Sequence, residues 1–110
     1  MINYTTPSIS LTVEGKDWSA MDVYVTLEQG CIELTKTGTD LTITTETHEQ
    51  ITDTNIVFVL SQEESAKFAF NSSVAVQVNA IDSNGVREAT EIKTVGVMRN
   101  LLDEVIQYGN

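Results

Sequence analysis

The chain has 110 residues, which is the length of one domain and leaves no room for a second hydrophobic core. It carries 6 basic and 16 acidic residues, a formal net charge of −10, so we expect neither nucleic acid nor an anionic membrane surface as its partner. The single cysteine, Cys31, excludes an internal disulfide.

The first half of the chain alternates apolar residues with Thr-rich polar ones at a period of two. This is the period of a strand, and β-branched side chains suit a pleated, half-buried surface. The alternation predicts strands at 8–14, 22–29, 31–36 and 41–45, with turns at the glycines between them. The polar stretch 47–54, which holds the only histidine, is predicted to be a loop.

The second half begins with a continuous apolar run, Ile56–Leu60, whose length predicts a strand buried on both faces. Ser61 and Glu64 then have the spacing of a capping box, which predicts a short helical turn over 62–67. Alternation over 74–81, the Asn-Gly turn at 84–85 and the return strand 86–97 predict a long final hairpin.

Residues 98–110 differ in character from the rest of the chain. Four apolar residues stand at helical spacing, which predicts either a short helix or an irregular cover on the domain; they are Leu101, Leu102, Val105 and Ile106. The seven strands that precede them, with a turn about every ten residues, predict an all-β, antiparallel Ig-like sandwich. We therefore predict a sandwich domain over 1–97 and a C-terminal segment over 98–110 that packs on this domain or docks to a partner.

Residue types that carry chemistry are scattered in this sequence. His48 has acidic neighbours, but a lone imidazole with no second His or thiol at ligand spacing predicts a solvated loop histidine rather than a metal site. Cys31 has no poised base nearby, so we expect it to be a buried and inert strand cysteine. We predict no catalytic residue, no metal and no cofactor, and hence no enzyme.

The aromatic residues suggest one alternative. Trp18 and the tyrosines could bind a carbohydrate or another cell-surface ligand, but their spacing forms no stripe, which favours packing in the core or at an interface. Tyr24 lies on the polar face of its predicted strand, where an exposed aromatic ring is typical of a protein contact.

Five motifs occur in order over nearly the whole chain. They are TPSISLTVEG (6–15), DVYVTLEQG (22–30), LSQEESAKF (60–68), VQVN with DSNG and REA (76–89), and NLL (100–102). In this order and spacing the chain resembles a family of small structural proteins from phages and prophages of Gram-positive bacteria. It is similar to the N-terminal β-sandwich of phage baseplate upper proteins, without their long C-terminal extension.

The resemblance implies a non-enzymatic structural or adaptor protein of a virion, associated with the tail or baseplate and made in the cytoplasm of the bacterial host. Its implied partners are other phage structural proteins and copies of itself. The residues that we expect at an interface are Tyr24, Glu28, Arg87, Leu101, Leu102, Val105 and Ile106. The carbohydrate-binding or ligand-binding module remains the alternative.

Overall fold

The computed structural model describes residues 1–109 and shows the all-β, sandwich-like fold that the sequence predicts. It has eight strands instead of seven, because the last predicted strand is divided in two. In chain order the elements are β1 (Ser8–Val13), β2 (Asp22–Gln29), β3 (Ile32–Thr37), a 3-10 turn (Gly38–Asp40), β4 (Thr42–His48), β5 (Ile51–Val59), α1 (Gln62–Ala66), β6 (Ser72–Ile81), β7 (Arg87–Ala89) and β8 (Lys93–Val97).

The strands form two antiparallel sheets. The smaller sheet has the order β1-β5-β4, and the larger has the order β3-β2-β6-β7, with β8 also paired to β6. If β1 is equated with strand B of an immunoglobulin domain, the orders become B-E-D and C′-C-F-G, which are those of an Ig-like sandwich. Within residues 1–109 no strand takes the place of strand A, so β1 lies at the edge of its sheet.

The core lies between the sheets, and the period of two places its residues there. On β2 and β6 every second residue points inward and is at most 3% exposed: Val23, Val25 and Leu27 on β2, and Val74, Val76, Val78 and Ala80 on β6. The smaller sheet contributes Ile9, Val13, Ile56 and Phe58. The same cluster includes Trp18, Leu41, Leu60 and Phe68 from the connections and Val97 from β8. Burial of this apolar surface is the main force that holds the sheets together.

Strand β5 is longer and less buried than the sequence predicts. The stretch 47–54 is not a loop, because β4 and β5 form a hairpin that pairs His48 with Ile51. Val59 is 53% exposed, so the run 56–60 is not buried on both faces; the outer face of the smaller sheet meets solvent. The hairpin is Thr-rich, and even its buried residue near the turn, Thr54, is polar, so it has no apolar alternation by which sequence could reveal it.

The turn of this hairpin places two non-glycine residues in left-handed backbone conformations. Glu49 and Gln50 have φ values of 50° and 71°, the signs of a type I′ turn. For residues other than Gly and Asn, this conformation is less stable than the right-handed one by about 1 kcal/mol or more. We therefore expect Glu49→Asn combined with Gln50→Gly to raise the free energy of unfolding by about 1 kcal/mol, measured by urea denaturation.

A glycine that already occupies such a position is the control for this prediction. Gly85 has a φ of 83° in the turn before β7, and Gly85→Ala is expected to lower the free energy of unfolding by about 1 kcal/mol. An unchanged urea midpoint for the double variant, with Gly85→Ala destabilising, would contradict the strain assigned to the hairpin turn.

Helix α1 begins with the predicted capping box. Ser61 Oγ accepts a hydrogen bond from the Glu64 amide at 3.1 Å, and Glu64 Oε1 accepts one from the Ser61 amide at 2.9 Å. The same carboxylate forms an ion pair with Lys36 Nζ at 2.8 Å, which ties α1 to β3. Among residues 1–109 there is no helix long and apolar enough to cross a membrane.

A β-bulge divides the last strand. The Thr90 amide donates a hydrogen bond to the Val78 carbonyl, and the next pair along the ladder is Lys93 with Val76. Two residues, Glu91 and Ile92, therefore lie opposite the single residue Gln77. The extra residue separates β7 from β8 and bends this edge of the larger sheet. The predicted strand 86–97 is therefore present as two short strands.

Candidate functional site

Two of the expected interface residues lie together on the outer face of the larger sheet. Tyr24 pairs with Asn79, and Arg87 on β7 pairs with Ile81 at the end of β6. The Arg87 guanidinium donates from Nε at 3.2 Å and from Nη2 at 3.1 Å to Asn79 Oδ1. Tyr24, 40% exposed, and Arg87 line one open groove of about 380 Å³. The groove thus offers an aromatic ring and a cation held by a neutral amide.

Glu28 lies on the same outer face, four residues along β2 from Tyr24, but it does not line this groove. It stands directly opposite Glu33 of β3. Two like charges opposite each other in an antiparallel pair destabilise that pair. This position is therefore a place where a basic partner surface would relieve repulsion.

The remaining expected residues lie in the C-terminal segment, which is irregular rather than helical over residues 98–109. Two sets of hydrogen bonds to side chains hold it. The side-chain amide of Gln62 donates to the Ile106 carbonyl at 2.9 Å and accepts from its amide at 2.8 Å. Asn100 likewise donates from its backbone and side chain to Asn3. The backbone groups bind these side chains instead of forming helical hydrogen bonds.

The two groups of expected residues do not form one site. The C-terminal segment follows β8, whose last residue, Val97, pairs with Ser72 at the start of β6. The groove with Arg87 lies at the other end of β6, beside Ile81. The fold thus presents two separate surfaces, one apolar and one mixed.

Trp18 lies in the core, only 2% exposed, and is held by polar contacts that the sequence did not reveal. Its amide donates to Thr54 Oγ1 at 2.9 Å, and its Nε1 donates to Glu88 Oε2 at 3.2 Å. Lys16 Nζ forms an ion pair with the same carboxylate at 2.9 Å. The hydrogen bond that Lys16 donates in this pair lowers the pKa of Glu88. The indole is therefore not available for stacking on a ligand at the surface.

The residues considered for chemistry lie apart. His48 Nε2 is 3.2 Å from Glu46 Oε1, with both side chains largely exposed, and residues 1–109 contain no group of three or more His, Cys, Asp or Glu that could hold a metal ion. Cys31 is exposed in the turn between β2 and β3, so the expectation of a buried strand cysteine is wrong. Gly30, which has a positive φ, follows the last residue of β2 and directly precedes the cysteine.

Comparison with protein-family models, curated proteins and solved structures finds no match to this chain.

Proposed function

We propose that this protein is a non-enzymatic structural or adaptor subunit of a phage or prophage virion, associated with its tail or baseplate, that acts through protein–protein assembly. The five ordered sequence motifs support the virion part of this proposal. The exposed apolar side chains of the C-terminal segment carry the assembly part.

The C-terminal segment exposes an unusual share of large apolar side chains. Leu101 is 88% exposed, Ile106 is 56% exposed and Tyr108 is fully exposed, and Met98, Leu102 and Val105 are between 36% and 62% exposed. A concentration of apolar residues at the surface marks contact sites in soluble proteins. The hydrogen bonds that Asn100 donates to Asn3, and those between Gln62 and the Ile106 backbone, hold the segment on the domain, which reduces the entropy lost on binding.

Charge supports the same proposal. A chain of net charge −10 repels its own copies over most of its surface, which keeps free subunits soluble. The same charge favours a partner with a basic surface and accelerates the encounter with it. The proposed partner is therefore a structural protein that is basic around an apolar cleft.

The test uses particles released from the source strain, complemented with variants of this chain. Full-length protein is expected in purified particles at a fixed ratio to tail proteins, measured by mass spectrometry. A chain that ends at Asn100 is expected to be lost from particles while it keeps its β circular-dichroism spectrum, because it retains the contact between Asn3 and Asn100.

Matched substitutions separate the segment from general surface hydrophobicity. Leu101→Ser with Ile106→Ser is expected to reduce incorporation at least tenfold, whereas Ile51→Ser with Ile92→Ser, at sites 60% and 64% exposed elsewhere, leaves it unchanged. Absence of the full-length chain from abundant particles would overturn the virion proposal. Unchanged incorporation of the chain ending at Asn100 would overturn the role of the segment.

A further inference from the structure

Strand β1 has a free edge with unpaired backbone groups. The Leu60 amide donates to the Pro7 carbonyl at 3.0 Å, which marks residues 7 and 60 as a hydrogen-bonded pair just before the ladder of β1 and β5. Since such pairs alternate along an antiparallel ladder, odd-numbered residues of β1 bond to β5. Ser8, Ser10 and Thr12 therefore direct their amides and carbonyls to the open side, where no strand of residues 1–109 pairs with them.

This edge lacks the protection that the other edges have. Edge strands usually carry a charge, a proline or a bulge that prevents pairing with another chain. Each other edge has such a feature: Glu33 and Lys36 on β3, Glu46 on β4, and the bulge with Lys93 beside β8. The sequence of β1, SISLTV, has neither a charged residue nor a proline nor a glycine.

A groove runs beside the edge and reaches the core. Leu11 and Val13 of β1 form one wall, and Val76 and Val78 of β6 form the other, around a volume of about 190 Å³. Leu11 is only partly buried although it points inward. Two charged residues line the groove, Glu14 and Lys93, and their opposite charges cancel. The open side is therefore close to neutral in a strongly acidic chain, and it combines apolar side chains with the uncharged Ser10, Thr12 and Thr90.

We propose that β1 pairs in antiparallel fashion with β1 of a second copy of this chain, about a two-fold axis at Ser10. This inference rests on the proposed assembly function and names one partner within it. Ser8 of each copy then faces Thr12 of the other, so that every outward amide and carbonyl meets its complement. The two smaller sheets become one continuous sheet of six strands, and Leu11 is covered.

The choice of a second copy follows from charge. Two chains of net charge −10 repel each other at most approaches, and β1 is the edge where no like charges meet. The strand is also complementary to itself, since it places the same short uncharged side chains on both sides of the axis. A basic partner would find no opposite charge on β1 and would bind the acidic surfaces instead.

Sedimentation equilibrium of the full chain tests the proposal, with two lysine substitutions as a matched pair. Ser10 and Thr42 flank Val57 on the same outer face, from β1 and from β4, and both are exposed. Wild type and Thr42→Lys are expected to form dimers at micromolar concentrations. Ser10→Lys is expected to weaken dimerisation at least tenfold, because two lysines then meet at the axis. Its melting temperature, measured at a concentration where both proteins are monomeric, is expected to equal that of the wild type.

Hydrogen exchange gives a second readout that does not depend on folding of a variant. In the wild-type dimer the amides of Ser8, Ser10 and Thr12 are expected to exchange at least tenfold more slowly than in dilute monomer. A chain that stays monomeric at several hundred micromolar overturns the inference, as does a dimer equally sensitive to both lysines or to Thr42→Lys alone. A dimer that persists in the chain ending at Asn100 separates this interface from the C-terminal segment, so either proposal can fail without the other.

Discussion

Trp18→Ala is expected to lower the free energy of unfolding by about 3–5 kcal/mol, the usual cost of removing a large buried aromatic side chain. The indole is 2% exposed, and its loss leaves a cavity between the sheets. It also removes the hydrogen bond from Nε1 to Glu88. Urea denaturation followed by circular dichroism measures the change.

Two variants identify the source of this loss. Trp18→Phe keeps most of the buried volume but not the hydrogen bond to Glu88, so we expect a smaller cost of about 1–2 kcal/mol. Tyr24→Ala removes a ring that is 40% exposed and is expected to cost less than about 1 kcal/mol. A Trp18→Ala protein as stable as the wild type, but deficient in binding to a glycan array, would instead favour the carbohydrate-binding alternative.

Glu64→Ala is expected to cost about 2–3 kcal/mol, because this carboxylate makes several charged hydrogen bonds at a partly buried site. It accepts from the Ser61 amide at 2.9 Å and from Lys36 Nζ at 2.8 Å, and the two side chains of the ion pair are only 21% and 13% exposed. The substitution leaves the Lys36 ammonium without its partner and α1 without half of its capping box.

The contribution of Glu64 depends on pH. Partial burial by itself raises the pKa of Glu64, but hydrogen bonds from Lys36 and the Ser61 amide outweigh it, and the pKa lies below its ordinary value of 4.5. A carboxyl group with a lowered pKa stabilises the fold above its unfolded value and loses this effect as the pH falls through its folded value. Wild-type stability is therefore expected to fall below about pH 4.5, and more steeply than that of Glu64→Ala.

Glu63 is the matched control for this prediction. It is the exposed neighbour of Glu64 on the same helical turn, and Glu63→Ala is expected to change stability by less than about 0.5 kcal/mol. A double-mutant cycle with Lys36→Met isolates the ion pair from the cap. Equal pH profiles for the wild type and Glu64→Ala would show that the carboxylate does not stabilise the fold as described.

The two proposed surfaces would act together in assembly. A two-fold dimer through β1 carries two C-terminal segments, one on each copy. Simultaneous binding of both segments makes the second contact intramolecular, which strengthens attachment to a particle without any new contact. Ser10→Lys, which weakens the dimer, is then expected to be incorporated into particles less well than the wild type, although its C-terminal segment is intact.

The sequence by itself determined those features that depend on neighbouring residues. The period of two in β2 and β6 predicted which side chains point inward, and three residues of spacing between Ser61 and Glu64 predicted the cap of α1. The Asn-Gly turn before β7 was equally local. In each case the relevant hydrogen bond or side-chain direction follows from backbone geometry over a few residues.

Only the tertiary structure decided the features that join distant parts of the chain. The Trp18 amide donates to Thr54, 36 positions away, and the Ile106 amide donates to Gln62, 44 positions away. The polar contacts of Trp18, and the choice between helix and irregular backbone in the C-terminal segment, therefore could not be seen in local pattern. The open edge of β1 likewise depends on which strand pairs with β5 and which does not. Strand pairing and the burial that follows from it are set by competition among contacts of the whole chain, and that competition leaves no local signal at the residues concerned.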